Sequence, residues 1–92
     1  MEFIIDLTNE YICTYRIANS DFRLDIFKAY RNIKNEVKKM FMVYLYDTAE
    51  VTKSLIYMKE IVDEHTGYSE LIKDIKSKTL VELLSYREQF RR

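Results

Sequence analysis

The chain has 92 residues, with 15 basic and 15 acidic side chains, one glycine, one cysteine, one histidine and neither proline nor tryptophan. This length provides for one domain around one hydrophobic core, which excludes a multidomain enzyme. The apolar fraction of 48% excludes a disordered chain, and the formal net charge of zero lacks the positive excess that is typical of nucleic-acid-binding domains.

The cysteine content and the apolar runs predict a cytoplasmic protein. Cys13 is the only cysteine and has no partner for an intramolecular disulfide. The short apolar run near the start follows no basic residue, so we expect no signal peptide. The longest apolar run, residues 40–46, is far shorter than the roughly 20 residues of a membrane-spanning helix. Abundant Ile, Lys, Tyr, Asn and Phe indicate A/T-rich codons, which are common in bacteriophage and mobile-element genes.

Scarce turn residues favour helices over strands, because an all-β domain needs a turn every 8 to 12 residues or so. Thr8 has the pattern of an N-cap with a hydrophobic staple, which predicts a first short helix ending near Ala18. Apolar residues at steps of four and three then predict a long second helix from Asp21 to Tyr46. The residues of this stripe are Ile26, Tyr30, Ile33, Val37, Met40 and Tyr44.

A third helix is predicted to follow directly. Asp47 and Glu50 have the spacing of a capping box, which predicts the start of this helix. The helix reaches Thr66, and Gly67 then supplies the residue type that favours a left-handed C-terminal cap.

The last predicted helix begins at Ser69. Thr79 and Glu82 offer a second capping box within it, which predicts a kink near Ser77. The sequence therefore predicts an all-α fold, an antiparallel bundle of about four helices in a single domain over residues 1–92.

Two alternatives remain open at this point. The apolar stripe continues across residue 47, so one long coiled-coil-like helix over residues 21–66 is the first. The second is an α+β domain with strands near residues 3–7, 11–17 and 40–46, because β-branched and aromatic residues are frequent in these segments.

Residues 40–46 are apolar on all sides and exceed what a small bundle can cover, which predicts a protein-binding surface. The candidate contact residues are Phe41, Leu45, Tyr46 and Tyr57. We expect a non-enzymatic binding module, a small regulator, inhibitor or immunity-type protein that associates stoichiometrically with a target or with itself as a homodimer.

Nucleic-acid binding is the alternative function. A basic segment lies between residues 28 and 39, and at helical spacing its side chains form one face that suits phosphate contacts. The candidate residues are Lys28, Arg31, Lys34, Lys38 and Lys39.

Catalysis has little support in the sequence. His65 is the only imidazole, and Val62 occupies the position where a helical Glu-x-x-His metal pair needs an acid. Cys13 has no candidate base nearby in the chain. We therefore predict no enzymatic activity, catalytic residue, metal, cofactor or small-molecule substrate.

Overall fold

A computed structural model describes residues 10–89 as a four-stranded antiparallel sheet followed by two helices. Each strand pairs with its neighbour in sequence, in the order β1-β2-β3-β4. No helix within residues 10–89 is long and apolar enough to span a membrane. The elements in chain order are β1 (Glu10–Arg16), β2 (Phe22–Ile33), β3 (Glu36–Asp47), β4 (Thr52–Glu60), α1 (Glu64–Lys76) and α2 (Leu80–Gln89).

The predicted helical bundle is wrong, because the chain forms an α+β fold. The coiled-coil-like helix over residues 21–66 is also wrong, since β2, β3 and β4 occupy this region. The α+β alternative is the correct class: its strand near 11–17 corresponds to β1, and its strand at 40–46 lies inside β3. The strand near 3–7 and the cap at Thr8 lie outside the described residues.

The turns explain why scarce glycine and proline misled the prediction. Lys34 and Asn35 join β2 to β3 with φ values of 51° and 67°, the pattern of a type I′ hairpin turn. Asn19 and Val51 also take positive φ values, 59° and 55°, in the other two turns. Asn, Lys and Val thus adopt left-handed backbone conformations in which glycine is the usual residue.

Asp47 ends a strand and does not start a helix. Its carboxylate Oδ1 accepts hydrogen bonds from the backbone N–H groups of Ala49, at 3.0 Å, and Glu50, at 3.3 Å. Asp in a turn commonly bonds to the backbone two residues on, so the apparent capping box is a turn between β3 and β4.

The stripe used to predict the long helix does not form one buried face. Val37, at its centre, is 47% exposed near the end of the β2–β3 hairpin. Both faces of β2 and β3 carry apolar side chains. Apolar residues therefore occur three and four positions apart in these strands as readily as two positions apart.

One side of the sheet, here called the helix face, packs against α1 and α2. Gly67, predicted to end a helix, instead lies buried within α1, where the Cε2 atom of Phe41 is 3.5 Å from the position that a Cβ would take. The core on this face consists of Leu24, Ile26, Phe41, Val43, Leu45, Ile56, Leu71, Ile75 and Leu83.

The last helix, predicted to begin at Ser69 with a kink near Ser77, is instead two helices, of which the first begins at Glu64. Helix α1 ends at Lys76 and is capped by Ser77, whose N–H donates to the carbonyl oxygens of Lys73 and Asp74. A capping box then opens α2, because Thr79 N–H donates to Glu82 Oε1 and Glu82 N–H donates to Thr79 Oγ1.

We expect Phe41→Ala to lower the free energy of unfolding by about 3 to 5 kcal/mol, because Phe41 is 1% exposed and its removal leaves a cavity. Val81→Ala is the control, since Val81 is 76% exposed on α2. That change should stay within roughly 0.5 kcal/mol. Urea denaturation followed by circular dichroism measures both, and equal effects would contradict the assignment of Phe41 to the core.

Val51→Asn should raise the free energy of unfolding by about 1 kcal/mol, because a β-branched residue is strained at positive φ and Asn tolerates it. Val62→Asn is the matched control, an exposed valine without positive φ. Thermal and urea unfolding compare the two, and stabilisation by both or by neither would contradict strain at Val51.

Candidate functional site

The side of the sheet opposite the helices, here called the second face, carries its own apolar cluster. Ala29, Met40 and Met42 are its buried members. Four half-buried side chains pack against them: Phe27, Tyr44, Leu55 and Met58. All seven belong to strands, and within residues 10–89 no helix residue joins the cluster. The sheet therefore has apolar side chains on both faces, with both helices on one of them.

Three aromatic rings cross the second face in a row. Tyr11 on β1 and Phe27 on β2 have ring centroids 5.6 Å apart at an angle of 66°. Phe27 and Tyr44 on β3 are also 5.6 Å apart, at 88°. Each contact is edge to face, the geometry that the aromatic quadrupole favours. This row fixes the orientation of the rings over the cluster.

Lys53 reaches across the row from β4. Its ammonium lies 4.3 Å from the ring centroid of Phe27 and 4.9 Å from that of Tyr44. The same ammonium is 3.8 Å from Asp25 Oδ2. Cation–π attraction and the ion pair both hold the lysine over the rings, where it shields part of their faces.

Asp25 is the buried carboxylate of the second face, 6% exposed. Thr14 Oγ1 donates a hydrogen bond of 2.7 Å to its Oδ1. Arg23 Nε lies 3.7 Å from the same oxygen, and the guanidinium stacks 4.4 Å over the ring centroid of Tyr46. Asp25 thus neutralises charge from two cations that both lie over aromatic rings.

The four residues predicted to bind a protein do not form one surface. Phe41 and Leu45 are 1% and 2% exposed in the helix-face core. Tyr57 is half-buried against the same core. Burial contributes most to the raised pKa of its hydroxyl, and the Asp74 carboxylate contributes next. Only Tyr46 lies on the second face. Sequence reasoning missed the cluster around Met42 because β2 and β3 carry apolar side chains on both faces, which hides the period of a strand.

The five predicted basic residues all lie on the β2–β3 hairpin but divide between its two faces. Lys28 donates a hydrogen bond to Glu64 at the start of α1, and Lys39 Nζ is 3.5 Å from the same carboxylate. The bond raises the pKa of Lys28 and lowers that of Glu64. Arg31 and Lys38 are cross-strand partners further out, and Lys34 is in the turn.

Cys13 and His65 line a cleft of about 540 Å³ between β1 and α1. The Cys13 thiol is 3.2 Å from the Tyr68 hydroxyl, which is 3.3 Å from the Tyr15 hydroxyl. Both hydrogen bonds raise the pKa of the Tyr68 hydroxyl, and the one with Cys13 contributes most. The Tyr68 hydroxyl thus joins Cys13 and Tyr15 on β1 to α1. Across residues 10–89, no three His, Cys, Asp or Glu side chains form a metal-binding group.

We expect Asp25→Ala to lower the free energy of unfolding by roughly 1 to 3 kcal/mol, because Arg23 and Lys53 lose their shared counter-charge and Thr14 loses its acceptor. Glu50→Ala, at an exposed carboxylate in a turn, should change it by less than about 0.5 kcal/mol. Urea unfolding measures both, and a neutral Asp25→Ala would show that the carboxylate does not organise this face.

Comparison with known proteins yields no relative from which a function follows. No protein-family model, no curated protein and no solved structure matches the chain. A function for the chain is therefore inferred from the geometry of the two faces of its sheet.

Proposed function

We propose that the protein is a non-enzymatic binding module that contacts a protein partner through the second face of its sheet. The observation that carries this proposal is the apolar cluster around Met42, which no helix within residues 10–89 covers. Half-buried Phe27, Tyr44, Leu55 and Met58 surround the buried members and offer apolar contact area. An apolar patch within a polar rim is the usual composition of a protein interface.

The side chains of the second face also suit a protein partner. Methionine adapts its shape to a partner, and the cluster contains Met40, Met42 and Met58. Tyrosine and arginine are enriched among residues that dominate binding energy, and Tyr46 beneath Arg23 provides both at the rim. The rim is held in place by Asp25, which lowers the entropy lost when a partner binds.

Nucleic-acid bases fit this face less well. Base stacking needs accessible ring faces, but Lys53 lies over Phe27 and Tyr44 and the rings contact one another edge to face. Asp25 places a carboxylate between the cations, where a phosphate would be repelled. These contacts support a protein partner in preference to single-stranded nucleic acid.

The proposed role is that of a small cytoplasmic regulator, inhibitor or immunity-type protein that acts by stoichiometric association. The single free thiol, Cys13, fits a reducing compartment. The partner is a target protein or a second copy of the chain, and a symmetric homodimer would bury the same patch on both subunits.

The proposal is tested by placing a photo-crosslinking amino acid at position 55, on the second face, or at position 81, on α2. Val81 is the matched control because it is also apolar and is 76% exposed. Irradiation in the cells that encode the protein should yield a protein adduct from position 55 alone. Sedimentation equilibrium of the purified chain decides whether that adduct is a second copy.

Leu55→Asp should reduce the adduct or the self-association at least tenfold, since a charge in an apolar contact is desolvated without a partner. Val81→Asp should leave both unchanged. Adducts formed equally from the two positions, or from position 81 alone, would contradict binding through the second face, provided that circular dichroism shows both variants folded.

A further inference from the structure

A cleft of about 200 Å³, here called the α2 cleft, opens on the helix face where α1 ends and α2 begins. Tyr15 on β1 and Leu24 on β2 belong to its lining, and residues of both helices line the other side. The apolar aliphatic residues that line it are Ile17, Leu24, Ile72, Ile75, Leu80 and Leu83. The cleft is thus mostly apolar, as is usual for a small-molecule site.

The floor of the α2 cleft is part of the core, whereas its walls keep accessible apolar surface. Leu24 and Leu83 are buried members of the core on the helix face. Ile17, Ile72 and Leu80 are only half-buried. A ligand in the cleft would remove the remaining apolar surface of these three side chains from water.

The charged residues of the α2 cleft are all positive. In the part of the chain that the structure describes, three basic residues and no acidic one line it: Arg16, Lys76 and Lys78. Lys78 is paired at 3.9 Å with Asp74, which does not line the cleft. The Lys76 ammonium lies 5.1 Å from the ring centroid of Tyr15, and across residues 10–89 it forms no ion pair. This ammonium is therefore available to an anion.

We propose that the α2 cleft binds a small molecule with an apolar chain of about eight carbon atoms and one carboxylate. The size follows from the volume, because a cavity of about 150 Å³ holds one benzene molecule. The chain lies against Ile17, Ile72 and Leu80, and the carboxylate pairs with the Lys76 ammonium. The cleft is on the helix face, so this site is separate from protein binding through the second face.

Titration with octanoate, followed by NMR of the isoleucine and leucine methyl groups, tests the proposal. The methyl signals of Ile72 and Leu80 should shift with a Kd of about 1 mM or lower. Those of Leu55, on the second face, should not shift. Octan-1-ol has the same chain without the charge and should bind about fivefold more weakly, because it cannot form the ion pair. Octylammonium, which is repelled by the lysines, should bind more weakly than the alcohol.

Lys76→Gln should remove the preference for octanoate over octan-1-ol and leave the binding of the alcohol unchanged. Lys73→Gln is the matched control, because Lys73 is an exposed lysine of the same helix that does not line the cleft. It should leave the preference for octanoate within twofold of the wild type. Leu55→Asp should not affect octanoate binding, which separates this test from that of the second face. The ligand series on the wild-type chain decides the case if Lys76→Gln does not fold.

Three results would overturn the proposal. These are no shift of the Ile72 and Leu80 methyl signals at about 5 mM octanoate, equal affinity for octanoate and octan-1-ol, and equal loss of preference in the Lys76→Gln and Lys73→Gln variants. Equal affinity would show that the cleft binds apolar chains without selecting a carboxylate. Equal loss would show that attraction is spread over the positive side chains of α1.

Discussion

The pairing of β2 with β3 is the constraint on which the rest of the structure depends. Twelve cross-strand pairs, from Phe22 with Asp47 to Ile33 with Glu36, join these strands in one unbroken register. A two-residue turn at Lys34 and Asn35 fixes that register. A slip by one residue would exchange every side chain between the two faces. Strands β1 and β4 and both helices then take positions that this hairpin determines.

The two faces remove apolar surface from water in different ways. On the helix face, α1 and α2 supply Leu71, Ile75 and Leu83 to cover β2, β3 and β4. On the second face, the strands cover themselves in part, as the aromatic row and Lys53 lie across the sheet. Cover by a flexible lysine leaves adaptable surface, whereas cover by a packed helix does not. This difference separates core from candidate interface.

The amino-acid composition of residues 40–46 indicated a strongly apolar segment but did not indicate that the segment is a strand. Residues 40–46 were predicted to have more apolar surface than a small bundle can cover, but β3 buries apolar side chains on both faces of the sheet. The helical prediction was wrong because a strand that is apolar on both faces has no period of two, and because Asn35 and Val51 replace glycine in turns. The capping box at Thr79 was predictable because it depends only on residues three apart.

Charge neutralisation divides the second face into two regions with different chemistry. At its centre, Asp25 is buried and shared between Arg23 and Lys53, so these cations are committed to the fold and to the rings beneath them. Toward the turn between β2 and β3, Lys38 lies beside two exposed acids, Glu36 and Glu60. A buried carboxylate holds its cations more firmly than an exposed one, because solvent and salt screen the exposed pairs. The cations at the centre are therefore held in place more firmly than those toward the turn between β2 and β3.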